Sequence, residues 1–134
     1  MSFTAEQFNQ IVESLRSDSL GKRSYEKRTA PRVGVRTKLE IVPLPGLPPG
    51  VPVPPRLPPA AASGPVENVW VRDISADGIG ILHASPMDAG ARFVAHFLRG
   101  QRAPLSVVYA VTHCKTISKT LFTIGAKLER VLEG

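Results

Sequence analysis

Apolar residues recur near the start of the chain at Phe8, Ile11, Val12 and Leu15, with Glu6, Asn9, Glu13 and Arg16 off that line. Residues at such spacing share one helical face, so the pattern predicts an amphipathic helix from about Ala5 to Ser17. Thr4 and Gln7 stand in capping-box relation at its start, the hydroxyl serving an early helical N–H and the amide reaching back. Gly21 supplies a stop. So short a helix is marginal alone in water, and its stripe is expected to dock on the rest of the chain or on a partner. The period then changes. Val33, Val35, Thr37, Leu39 and Ile41 alternate with Gly34, Arg36, Lys38 and Glu40, the mark of a half-buried strand. Val66 to Ile74, Gly78 to His83, Arg92 to Leu98, Leu105 to Thr112 and Leu121 to Leu128 read as further strands. A Ser-Ala-Asp-Gly turn, with Gly78 expected at positive φ, joins the first two of these. Ser85 to Gly90 and Gly100 to Ala103 punctuate the middle, and Lys115 to Thr120 reads as a polar hairpin connection. Short β segments with no helix between them predict an all-β, small antiparallel barrel or sandwich and argue against a βαβ arrangement.

Two stretches stand outside this alternation. From Lys22 to Arg32 the chain is basic and irregular, with Pro31 discouraging helix at Ala30. Pro43 to Pro65 holds most of the 13 prolines. Proline removes backbone donors, so this tract is expected to stay out of a sheet interior and to form a solvated or polyproline-II excursion between two strands. Pro52, Pro55 and Arg56 also resemble ligands of proline-recognising modules. The organisation is therefore a helix over 1–20 and a β domain over 21–134, with a basic arm at 21–32 and a proline-rich loop at 43–65.

Charge narrows the partners. Lys and Arg number 17 against 11 Asp and Glu, a formal net charge of +6, which favours nucleic acid, nucleotides or acidic surfaces. The single cysteine, Cys114, excludes an internal disulfide and fits a reducing compartment. No apolar run approaches spanning length, and the first residues lack the layout of a secretory leader, so the cytoplasm is the expected location.

Two short motifs carry the candidate chemistry. Arg28-Thr29-Ala30-Pro31-Arg32 is an RxxxR just ahead of the first strand, and Asp73-Ile74-Ser75-Ala76-Asp77-Gly78 is a DxSxxG at the turn after the second. In this order and flanked by strands, the pair resembles the PilZ family of cyclic di-GMP receptors. Lys27-Arg28 is similar to the family's basic lead-in, although many members carry two arginines there. Gly80 and the strand Phe122 to Leu128, with Gly125, extend the likeness, which runs from about Ser24 to Val131. The proline tract stretches the spacing between the motifs, a length that a loop absorbs at small entropic cost.

The resemblance implies a six-stranded PilZ-type β-barrel with an N-terminal helix, and cyclic di-GMP as the ligand with no other cofactor. Arg28 and Arg32 would clamp guanine and phosphate, because the guanidinium fork matches the N7/O6 edge and stacks on a purine face. Lys27 would add a point charge. Asp73 would accept from guanine N–H groups, Ser75 would bond phosphate or hold the turn, and Gly78 would allow backbone approach. Ligand binding would order the arm against the barrel, change what the helix touches and so address a downstream protein partner. A homodimer through the helix is compatible with the same pattern.

The remaining reactive residues do not assemble into a catalyst. His83, His96 and His113 stand singly in strand contexts without metal-ligand spacing. Cys114 and His113 are neighbours on a strand and face opposite ways. Ser75 lacks the small-residue elbow of a hydrolase. The expectation is a binding protein, with no catalytic residue and no metal. The competing readings are a protein-interaction adaptor and a nucleic-acid-binding small barrel, the latter disfavoured because no aromatic platform sits among the cations.

Overall fold

The computed structural model describes residues 2–18, 33–57, 66–99 and 102–132, with backbone alone at 14–18, 33–36, 98, 99, 102 and 103. One helix, α1 (Ala5–Asp18), is followed by β1 (Val33–Pro43), β2 (Glu67–Ser75), β3 (Gly78–His83), β4 (Arg92–Arg99), β5 (Arg102–Ser118) and β6 (Leu121–Val131). The strands close in the order β1-β2-β3-β6-β5-β4, and every pairing is antiparallel. Closure removes the open edges that a six-stranded sheet would otherwise expose. The barrel alternative is therefore the correct one, and the sandwich is not.

Alternation fills the barrel as the pattern requires. Leu39 and Ile41 of β1, Val69, Val71 and Ile74 of β2, Ile79 and Ile81 of β3, and Ile124 and Leu128 of β6 are all buried. Phe93 and Phe97 of β4 and Tyr109 of β5 add the aromatic part of the core. The capping box forms: the Thr4 amide donates to Gln7 Oε1 at 3.0 Å and the Gln7 amide to Thr4 Oγ1 at 3.1 Å. α1 then lays Ile11 and Val12 into the core, with Phe8 partly buried against it. Phe3, ahead of the cap, is buried edge-on to Phe97 at 6.0 Å. Its amide donates to the Ala76 carbonyl at 2.8 Å, which ties the start of the helix to the β2–β3 turn.

Three expectations change. The stretch 115–120 is not a loop: β5 continues to Ser118, with Thr116 opposite Phe122 and Ser118 opposite Leu121, and the turn is Lys119-Thr120. Its residues look like a loop because this part of β5 extends past β4 and is exposed. Gly78 does not adopt positive φ; among the described glycines Gly50 and Gly90 do. Gly78 is favoured by tight space instead, since a Cβ there would stand 3.1 Å from the Ala126 carbonyl oxygen.

The proline tract, finally, is not simply solvated. Leu44 and Leu47 are buried in a second cluster with Val94 and Val108, joined by Val53, Leu57 and Leu132. Arg92 fixes this arrangement from a buried position, donating to Glu129 at 2.6 Å and to the Pro48 carbonyl at 2.9 Å. Residues 58–65 of the tract lie outside the described residues.

Candidate functional site

The DxSxxG residues come together at the β2–β3 turn on the outer face of the barrel. Ile74 and Ile79 point inward and are buried, so Asp73, Ser75, Gly78 and Gly80 belong to the outer face, where Asp73 and Ser75 are half-buried and the two glycines buried. Ser75 Oγ donates to Asp77 Oδ1 at 3.1 Å and approaches the Gly78 carbonyl at 3.5 Å. Asp77 is thus a turn residue, and its carbonyl accepts from the Leu128 amide at 2.9 Å. The turn is therefore held by its own side chains, by β6 and by the segment leading into α1.

Asp73 is positioned from two sides. Arg72 Nε donates to Asp73 Oδ2 at 3.2 Å, and Arg72 Nη1 donates to Thr123 Oγ1 at 2.8 Å across β3. The carboxylate lies over Gly80, where a Cβ would come within 2.8 Å of Asp73 Oδ1. Gly80 is paired with Gly125 of β6, and a Cβ on Gly125 would run into the His113 ring. Asp73, Gly80, Gly125 and His113 thus form one row across four strands, with two side-chain-free positions as its floor. Thr112 supports the far end, its hydroxyl donating to the Gly125 carbonyl at 3.0 Å.

Lys27, Arg28 and Arg32 lie outside the described residues. The strand that follows them does not. Val33 is opposite Ile74 and Gly34 opposite Asp73, so β1 begins directly beside the second motif.

Sequence reasoning passes over two features of this face. Trp70 is 48% exposed, with the Lys38 Nζ 5.5 Å from its ring centroid. Its outward direction follows from alternation with Val69 and Val71, so the signal was present in the strand pattern. Gly125 looked like a mark of likeness, and its physical role as floor beneath His113 depends on cross-strand register, which no local pattern specifies. The histidines each find local partners: His83 meets Glu67 at 2.8 Å, His96 meets Ser106 at 3.0 Å, and His113 meets Thr112 at 3.2 Å. Among the described residues no group of three His, Cys, Asp or Glu is arranged to hold a metal ion, and no helix is long and apolar enough to cross a membrane.

Comparison with protein-family models, with curated proteins and with solved structures finds no match to this chain. The functional reading therefore rests on the geometry and on the motifs.

Proposed function

We propose that this chain is a PilZ-type receptor that binds cyclic di-GMP through its RxxxR and DxSxxG motifs. The observation that carries the reading is the pairing of Val33 and Gly34 with Ile74 and Asp73. An extended chain advances at most about 3.6 Å per residue, so an arginine one position before Val33 has a short path to Asp73 and Ser75. A closed antiparallel barrel with the carboxylate-and-hydroxyl turn facing outward supports it further. Asp73 offers acceptors to guanine N–H groups, while Arg28 and Arg32 supply forks for guanine and phosphate and Lys27 a point charge.

The role is recognition, with no bond made or broken. The route to output runs through the turn, because the Phe3 amide is bonded to Ala76 inside the motif. A ligand that shifts this turn shifts the start of α1, and with it the surface offered to a downstream partner.

Calorimetric titration with cyclic di-GMP, GTP and a short oligonucleotide tests the proposal. Arg28→Ala, Arg32→Ala and Asp73→Ala are each expected to weaken cyclic di-GMP binding roughly 10- to 100-fold. Wild-type binding by all three removes the site. The Trp70–Lys38 pair is the feature that favours the nucleic-acid reading, since an exposed ring beside a cation offers a stacking surface. Tight oligonucleotide binding with a steep salt dependence, and none of the dinucleotide, selects that reading instead.

A further inference from the structure

The outward row that begins at Ser75 continues past the motif. In register it runs Ser75, Gly78, Lys127, Ala110 and Arg92, across β2, β3, β6, β5 and β4. Gly78 and Ala110 are small, so the exposed Lys127 rises between two low positions. Three neighbouring strands at about 4.8 Å spacing put the backbones of Ser75 and Lys127 about 10 Å apart. The four-carbon stem of the lysine covers much of that distance above a glycine that offers no side chain to block it.

Beyond Lys127 the row opens into a cleft of about 340 Å³ lined by Pro52, Val53, Arg92, Lys127, Glu129 and Arg130. Glu129 is the carboxylate of this lining, and it is engaged by Arg92 at 2.6 Å. Lys127 and Arg130 therefore set the sign of the cleft. Its wall at Pro52 and Val53 comes from the proline tract, which Arg92 holds through the Pro48 carbonyl. Arg92 is thus the pillar of the cleft, and Lys127 is the cation presented to a ligand.

We infer that this cleft is the second half of the ligand site. Lys127, with Arg130, holds a phosphate of the molecule whose other end lies at Asp73 and Ser75, and the proline tract closes that end. The inference rests on the dinucleotide reading and deepens it. The class of ligand is one with two separated phosphates, and Lys127 is a determinant that neither motif contains. Lysine suits this task because a compact ammonium meets a phosphate as a point charge from any direction.

Titration calorimetry of the full chain with cyclic di-GMP tests the inference, alongside Lys127→Ala, Lys127→Ala/Arg130→Ala, Lys127→Arg and the remote control Lys119→Ala. Loss of charge-assisted contacts is expected to weaken binding about tenfold in the single variant and further in the double. Lys127→Arg is expected to retain most of the affinity, and Lys119→Ala all of it. Thermal melts establish that each variant is folded; should the double variant not fold, the single exposed substitution decides. Wild-type affinity in the Lys127 variants, while Arg28→Ala weakens binding, overturns the inference and leaves the receptor reading standing. An equal loss in Lys119→Ala traces the effect to bulk charge and also overturns it. No binding by the wild-type chain overturns both.

Discussion

The β4–β5 wall of the barrel and the β2–β3–β6 wall are built by the same alternation and finished in opposite ways. On β4 and β5 the outward Val94 and Val108 are apolar, yet 3% and 0% exposed, because Leu44 and Leu47 cover them. On β2, β3 and β6 the outward positions include Asp73, Ser75, Gly78, Gly80, Thr123, Gly125 and Lys127, none of which joins the Leu44–Leu47 cluster, and the outward Trp70 stays 48% exposed. The interior differs in the same sense. Phe93, Phe97 and Tyr109 line the covered wall, while Val69, Val71, Ile74, Ile79, Ile81 and Ile124 line the open one. A wall with apolar residues on both faces needs another segment of chain to complete it. A wall finished mainly with glycine and polar groups does not.

Charge insertion is the hardest test of this difference. Val108→Asp buries a carboxylate between the barrel and the proline tract and is expected to cost at least about 4 kcal/mol, enough to unfold much of a marginally stable domain. Thr123→Asp on the open wall is expected to change stability by less than about 0.5 kcal/mol, since the site is half-exposed and Arg72 stands beside it. Similar denaturation midpoints for the two would mean that the walls are not distinct. Arg92→Ala ranks next. It removes the buried partner of Glu129 and the donor to Pro48, and is expected to cost about 3 kcal/mol by chemical denaturation. Arg92→Lys recovers part of that loss, because a lysine lacks the fork that serves both acceptors at once.

The two walls were also unequally legible in the sequence. Strand alternation made the inward residues and the antiparallel all-β class readable, and the capping box located the start of α1. The outward valines read as ordinary strand residues, and proline composition argued for solvent exposure of the tract. What covers Val94 and Val108 is a tertiary pairing between segments about 50 residues apart (Leu44 and Val94), and no local propensity encodes it. In the candidate site the Asp73, Ser75 and Gly78 turn was visible as a motif. The glycine pair Gly80–Gly125 and the placement of Lys127 beside Gly78 follow from cross-strand register, which bulges at Val71/Asp73 and Val111/His113 help to set.

Register on the open wall yields a gentler prediction. Gly80→Ala places a methyl 2.8 Å from Asp73 Oδ1 and 3.0 Å from Arg72 Nη2, and both side-chain ends can swing aside. The expected stability loss is therefore no more than about 1 kcal/mol. The displaced carboxylate no longer faces the ligand, and cyclic di-GMP affinity is expected to fall about tenfold. Unchanged affinity in a folded Gly80→Ala chain would remove Asp73 from the proposed contact.

A modest gain in stability is expected beneath the covered wall. The Tyr109 ring packs against Phe93 and Phe97, and its buried hydroxyl hydrogen-bonds to no described residue. Burial without a partner costs free energy, so Tyr109→Phe is expected to raise stability by about 1 kcal/mol, read as an upward shift in the denaturation midpoint. The same burial pushes the phenol well above its ordinary pKa of 10.0. Below that pH both folded and unfolded chains keep the proton, and the group adds no pH dependence. Above it the unfolded chain releases a proton that the folded chain retains, so stability falls as pH rises. Tyr109→Phe should flatten that alkaline decline while leaving the neutral-pH curve parallel to wild type. A steeper decline, or a loss of stability at neutral pH, would mean that the hydroxyl contributes to the packing of the aromatic half of the core, which would then differ from the aliphatic half in polarity as well as in shape.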